Sequence, residues 1–182
     1  MLTSAEIDSI VAVEVPPLPS RVFPTVHYDV DTALSVAYDV AYSDSHTALS
    51  LHRAGFFQNN WTIVAERIVS AMCSAGCVGC LTEDGVPLKV RCVELHTYTL
   101  GGSLLNPGHR DSGSTLTISI LLSEPSDFEG GEFVTWRGGG RFPVVHDTLC
   151  RGDAVLFHSE KLHNVNIVSP ETDRARDGDR QS

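Results

Sequence analysis

The hydrophobic period of this 182-residue chain changes partway along, and that change limits what it can fold into. Apolar residues recur at Trp61, Val64, Ala65, Ile68, Val69 and Met72, the spacing of one face of an α-helix. From Leu88 onward the period becomes two, β-branched residues are frequent, and glycine-bearing turns follow at short intervals. Helices first and a run of short strands afterwards predict an α+β fold that is mainly β. N-terminal helices would buttress a sandwich or jelly roll, in place of an alternating parallel sheet.

The chain reads as a single domain over 1–182. Pro16, Pro17, Pro19 and Pro24 predict an extended arm over 1–27, and helical support follows over 28–87. Asp29 or Asp31 is placed to cap a helix from Thr32 to Val40 that ends at the polar cluster Ser43 to Ser45. Asn60 is placed to cap the helix that begins at Trp61. Strands are expected over Lys89 to Thr99, Thr115 to Leu122, Gly131 to Trp136 and Ala154 to His158. Shorter ones are expected at Pro143 to His146 and Val165 to Val168, with a polar tail over 177–182.

Apolar residues make up 42% of the chain and charged residues 20%, enough to fold around one core without disulfide staples. Thirteen Lys and Arg stand against 23 Asp and Glu, a balance of −10 that repels nucleic acid and anionic membranes. No run reaches the roughly 18 to 20 apolar residues of a membrane span, and no secretory leader is visible. Five cysteines, an odd number, point to reduced thiols and a cytoplasmic setting.

His109 and Asp111 lie two residues apart, so on extended backbone both project from one face and can meet one ion. A third ligand must come from elsewhere; His163, just past the strand Ala154 to His158, is the best placed, with His96, His146 and His158 as rivals. Two His and one carboxylate bind one face of an octahedral ion and leave the other positions open, the ligand set typical of non-haem Fe(II) oxygenases. His27 and Asp29 repeat the spacing ahead of a helix, where Asp29 already serves as a cap. The plain alternative for His109 and Asp111 is a polar loop. On the strand from Thr115, Thr117 and Ser119 share the face opposite Leu116, Ile118, Ile120 and Leu122.

Several pieces then fall in order: Tyr98 to Gly101, His109 to Asp111, Thr117, Phe128 to Phe133, Arg151 to Phe157, and Leu162 to Val165. Together, over roughly 88 to 176, they resemble the prolyl 4-hydroxylase-like branch of the 2-oxoglutarate- and Fe(II)-dependent dioxygenases. The resemblance implies a double-stranded β-helix over 88–176. It also implies iron held by His109, Asp111 and His163, with 2-oxoglutarate as co-substrate, and ascorbate is a further ligand of such enzymes. Arg174, with Arg176 as fallback, would hold the distal carboxylate of 2-oxoglutarate through its planar fork. Tyr98 and Thr117 would contact the same molecule. O2 would be consumed, and the substrate would be a protein or peptide, peptidyl proline first, or else a small molecule. The ligands must be neutral imidazoles and an ionised carboxylate, so metal affinity is expected to fall toward pH ~6.

Two other readings stay open. The polar stretch after Arg174 departs from the apolar strand usual in the family, which leaves room for a non-catalytic jelly-roll module with an incomplete last strand. Cys73, Cys77 and Cys80 have the spacing of radical S-adenosylmethionine enzymes, and with Cys92 they also make a candidate zinc site. Small residues at a helix end are the simpler account of those cysteines.

Overall fold

A computed structural model of the protein describes residues 2–13, 45–75, 89–104 and 109–169. Four helical or strand elements make the first part: α1 (Ser4–Val11), β1 (His46–Ser50), α2 (Phe56–Asn60) and α3 (Thr62–Ser74). Eight strands follow: β2 (Glu94–Tyr98), β3 (Leu116–Ile120), β4 (Glu129–Gly130), β5 (Phe133–Arg137), β6 (Phe142–His146), β7 (Ala154–His158), β8 (His163–Val165) and β9 (Val168–Ser169). The described pairings are all antiparallel and form the sheets β1-β2, β3-β7, β4-β9 and β6-β5-β8, none of them closed. Short antiparallel strands with helices at one side are the arrangement of a helix-buttressed jelly roll, as the change of period implied.

The helical end holds the core. Ile10, Leu49, Leu51, Phe57, Val64 and Ala65 are buried together, with Trp61, Ile68, Val93 and Leu95 packed against them. The stripe along α3 therefore lies on the β1-β2 pair, because that stripe is its only continuous apolar face. Arg67 of α3 reaches Glu6 of α1 at 2.6 Å, and Arg151, ahead of β7, pairs with Asp8, so α1 is tied both to α3 and to the strand-rich part.

Three expectations are corrected. Residues 4–11 are helical, not part of an extended arm: the Thr3 side chain accepts from the Glu6 amide while Glu6 reaches back to Thr3, a reciprocal cap that starts a helix ahead of the prolines. His46–Ser50 is a strand inside the region read as helical support, because pairing with β2 outweighs the weak local signal. Asn60 does not cap α3; its side chain donates back to the Phe56 carbonyl, and Trp61 occupies the cap position. The helix expected from Thr32 to Val40 and the prolines of the arm lie outside the described residues.

The strands that matter most for the site agree with the alternating pattern, trimmed at their ends. Gly102 shows why one turn needs glycine: a Cβ there would lie 2.2 Å from the Ser45 carbonyl oxygen. This close approach lets the chain leave β2, pair Leu104 with Val165 of β8, and return beside β8 at His109.

Candidate metal centre

His109 and Asp111 follow the segment that pairs with β8, and His163 opens β8 itself. The His163 amide donates to the His109 carbonyl at 3.4 Å, so the two distant stretches meet through backbone as well as side chains. Nε2 of His109 lies 3.3 Å from Oδ1 of Asp111, and Nε2 of His163 lies 3.6 Å from the same oxygen. One donor atom from each of the three falls within 4.8 Å of the other two. The imidazole planes of His109 and His163 are inclined by 84° with centroids 4.8 Å apart, so their nitrogens converge without stacking.

The surroundings suit a cation. Nδ1 of His163 is 3.1 Å from the Lys161 carbonyl, which can only accept; Nδ1 therefore carries the proton and Nε2 presents a lone pair toward Asp111. His163 is 5% exposed and packs against Phe133 and Phe157, while His109 and Asp111 are half-buried, so one side of the centre is closed and the other open. Burial is the largest influence on His163 and holds its imidazole below the ordinary value, although the Lys161 carbonyl and Asp111 pull the other way. Burial pushes the Asp111 carboxyl up, but the His109 and Thr117 side chains beside it and the nearby His163 imidazole outweigh it and hold the group below the usual carboxylate range. Two imidazoles beside a carboxylate are a donor set that fits a divalent first-row metal.

Curated proteins similar to parts of the chain are hydroxylases. The chain is 41% identical over 54 residues to a PKHD-type hydroxylase of Psychrobacter, a match covering 30% of this chain and 20% of that protein. It is 32% identical over 94 residues to a PKHD-type hydroxylase of Pseudomonas paraeruginosa and 30% identical over 96 residues to one of Delftia acidovorans. Each of these two matches covers 46% of this chain and 40% of the relative. The chain is a relative of the PKHD-type hydroxylases. They are members of the 2-oxoglutarate- and Fe(II)-dependent oxygenases, and the chain spans two fifths or less of the length of those it matches. No family model and no solved structure matches the chain.

Among the described residues, the rival histidines fall outside the cluster of three donors. His146 lies 3.0 Å from the Thr135 hydroxyl, and His158 is exposed at the end of β7. His96 shares the face of β2 with Tyr98, their rings nearly parallel with centroids 6.3 Å apart, and it hydrogen-bonds His46 and Glu94. Tyr98 stacks on His46. Thr117 lies 2.8 Å from the Ser159 hydroxyl and also contacts Asp111. Arg174, Arg176, Cys77 and Cys80 lie outside the described residues, and Cys73 is exposed at the end of α3. Cys92 is exposed, with its Sγ 3.5 Å from Nδ1 of His52.

Sequence reasoning missed His46, Glu94, Ser159 and Lys161. Ser159 follows β7 with no motif to mark it, and Lys161 contributes only a main-chain oxygen. His46 to Ser50 reads His-Thr-Ala-Leu-Ser, with no alternation to mark a strand. Among the described residues no helix is long and apolar enough to cross a membrane.

Proposed function

We propose that the chain is a 2-oxoglutarate- and Fe(II)-dependent oxygenase that hydroxylates a C–H bond, with peptidyl proline as its substrate. The observation that carries this reading is the convergence of His109, Asp111 and His163 within 4.8 Å, with donor chemistry that suits ferrous iron. Likeness to PKHD-type hydroxylases supports the reaction class. The bound metal would supply activation of O2 coupled to oxidative decarboxylation of 2-oxoglutarate to succinate and CO2. The protein's part is to hold the three ligands, orient the co-substrate and keep water from the closed side.

Tyr98 and Arg174 are the residues proposed to hold 2-oxoglutarate. The phenol offers a donor at the end of β2, and a guanidinium suits a carboxylate through paired hydrogen bonds. Ascorbate would serve as reductant. The fit of peptidyl proline rests on the resemblance to the prolyl 4-hydroxylase-like branch.

The test is succinate production from 2-oxoglutarate by the iron-loaded full chain, combined with a peptide array read by a mass gain of one oxygen. Wild type should form succinate, and His109→Ala, Asp111→Ala and His163→Ala should not. Succinate at undiminished rate in any of the three would remove the metal assignment. Hydroxylation confined to free amino acids would replace the peptide by a small molecule.

A further inference from the structure

Around the metal centre the balance of charge reverses. The chain as a whole carries −10, yet Arg110, Arg137 and Lys161 stand beside the three ligands. Arg110, between His109 and Asp111, is exposed, and its guanidinium donates to the Glu160 carbonyl in the turn before β8. Lys161 ends that turn. Its amide donates to the His158 carbonyl at 2.8 Å, and its own carbonyl lies 3.1 Å from Nδ1 of His163.

The register of the sheet places Arg137. Thr135 of β5 is paired with His163 of β8, so the two project from one face, and Arg137, two residues on, projects from it as well. Two residues are about 7 Å along a strand, within reach of a long side chain. Phe142 of β6 pairs with Arg137 and shares that face, 64% exposed. The Trp136 amide donates to the Leu162 carbonyl at 3.1 Å, and a Cβ on Gly140 would lie 2.7 Å from the Leu162 side chain. The end of the β5-β6 hairpin is thus packed on the chain that enters β8. Burial first, then the charges of Lys161 and Arg137, hold His146 below the ordinary imidazole value; its ring bonds Thr135 on this same face.

Among the described residues, Arg67 and Arg151 are paired with Glu6, Asp8 and Glu124, whereas Arg110, Arg137 and Lys161 meet no carboxylate within ion-pair distance. Glu160, in the same turn, is exposed and forms no ion pair with them. Cations without a carboxylate at the open side of the centre are complementary to an anionic ligand. Charges beyond about 8 Å are screened at physiological salt, so these cations, and not the balance of −10, act on a group that enters there. A long polyanion would run past them onto the acidic remainder of the surface, and a short acidic segment would not. The exposed Phe142 ring beside Arg137 favours a peptide over a small dianion, because it offers apolar surface to a residue next to the acidic ones.

We infer that the substrate is an acidic peptide, its carboxylates held by Arg137, Lys161 and Arg110 at the open side of the metal centre. This rests on the proposed oxygenase reading for the reaction that follows, but not for the binding.

The experiment is fluorescence anisotropy of short labelled peptides centred on proline and flanked by aspartates, serines or lysines, titrated with the Mn2+-loaded full chain. The aspartate-flanked peptide should bind tightest, and its affinity should fall as salt is raised. Arg137→Gln and Lys161→Gln should each weaken it by about two- to fivefold, the effect of one exposed ion pair, and leave the serine-flanked peptide little changed. Arg137→Lys, which keeps the charge, should bind as the wild type does. Mn2+ and 2-oxoglutarate affinities of Arg137→Gln, measured by calorimetry, should be unchanged.

Equal affinity for the aspartate- and serine-flanked peptides overturns the inference, as does an acidic preference that survives both substitutions. Lost 2-oxoglutarate affinity in Arg137→Gln also overturns it and assigns the cations to the co-substrate. Tighter binding of an oligothymidylate of equal charge would make nucleic acid the ligand instead. Wild-type chain that binds the acidic peptide but forms no succinate would sink the oxygenase reading and leave this inference standing.

Discussion

The rings of His46 and Tyr98 lie face to face, centroids 4.0 Å apart and planes inclined by 24°. The register of β1 on β2 sets them opposite each other. Nε2 of His46 is 2.9 Å from Nδ1 of His96, whose Nε2 is 3.2 Å from the Glu94 carboxylate. The hydrogen bond from His96 is the largest influence on Glu94 and holds it below the usual carboxylate range, so Glu94 accepts. His96 then has only Nδ1 left as an acceptor, and His46 must donate to it. The line Glu94, His96, His46 fixes the ring on which Tyr98 rests.

If Tyr98 holds 2-oxoglutarate, removing its stacking partner should weaken that hold. An aromatic pair contributes about 0.5 to 1.5 kcal/mol beyond burial, so His46→Ala should raise the 2-oxoglutarate dissociation constant by up to about tenfold. Calorimetry at saturating Mn2+ measures it. Glu94→Gln should act in the same direction and more weakly, and no change in His46→Ala would detach Tyr98 from the co-substrate.

Stability of the metal-free chain should fall with acid in a window set by His46. Burial first, then the charges of His96 and His109, lower its imidazole from 6.5 to about 4. The folded state therefore binds the proton less readily than the unfolded chain. The stabilisation is complete above pH 6.5, declines as the pH falls toward 4 and is gone below, with a slope of at most about 1.4 kcal/mol per pH unit. His163 is lowered as well and adds in the same sense. Urea midpoints between pH 7 and pH 4 test it: His46→Asn should flatten the curve, and an equally steep curve in that variant would assign the loss to other groups.

Metal binding should stabilise the fold, since the three ligands come from two stretches that unfolding separates. Mn2+ at 100 times its dissociation constant should add about 2.7 kcal/mol. Thermal melts with and without chelator report this, and the difference should vanish in Asp111→Ala. A shift that survives that substitution would place the ion elsewhere.

At the opposite end, the cap of α1 and the core beneath it have separable effects. Thr3→Ala should cost about 1 kcal/mol through the lost cap, whereas Leu51→Ala, at a site 1% exposed, should cost about 2 to 5 kcal/mol through the cavity it leaves. Denaturant titration ranks the two, and the reverse order would mean that α1 carries more of the fold than its packing suggests.

What the residues determined by themselves was local. Alternation in Leu116 to Ile120 places a strand because side-chain direction repeats every two residues whatever lies opposite. His109 and Asp111 share a face for the same reason, and the likeness to a known oxygenase branch singled out His163. Tertiary structure decided what depends on partners distant in the chain. His46–Ser50 becomes a strand because Glu94–Tyr98 is there to pair with it. Ser159 matters because its carbonyl meets Asp111 and its hydroxyl meets Thr117. A hydrogen bond to a distant stretch leaves no period in the sequence, so the three candidate ligands could be named from it and the groups packed around them could not.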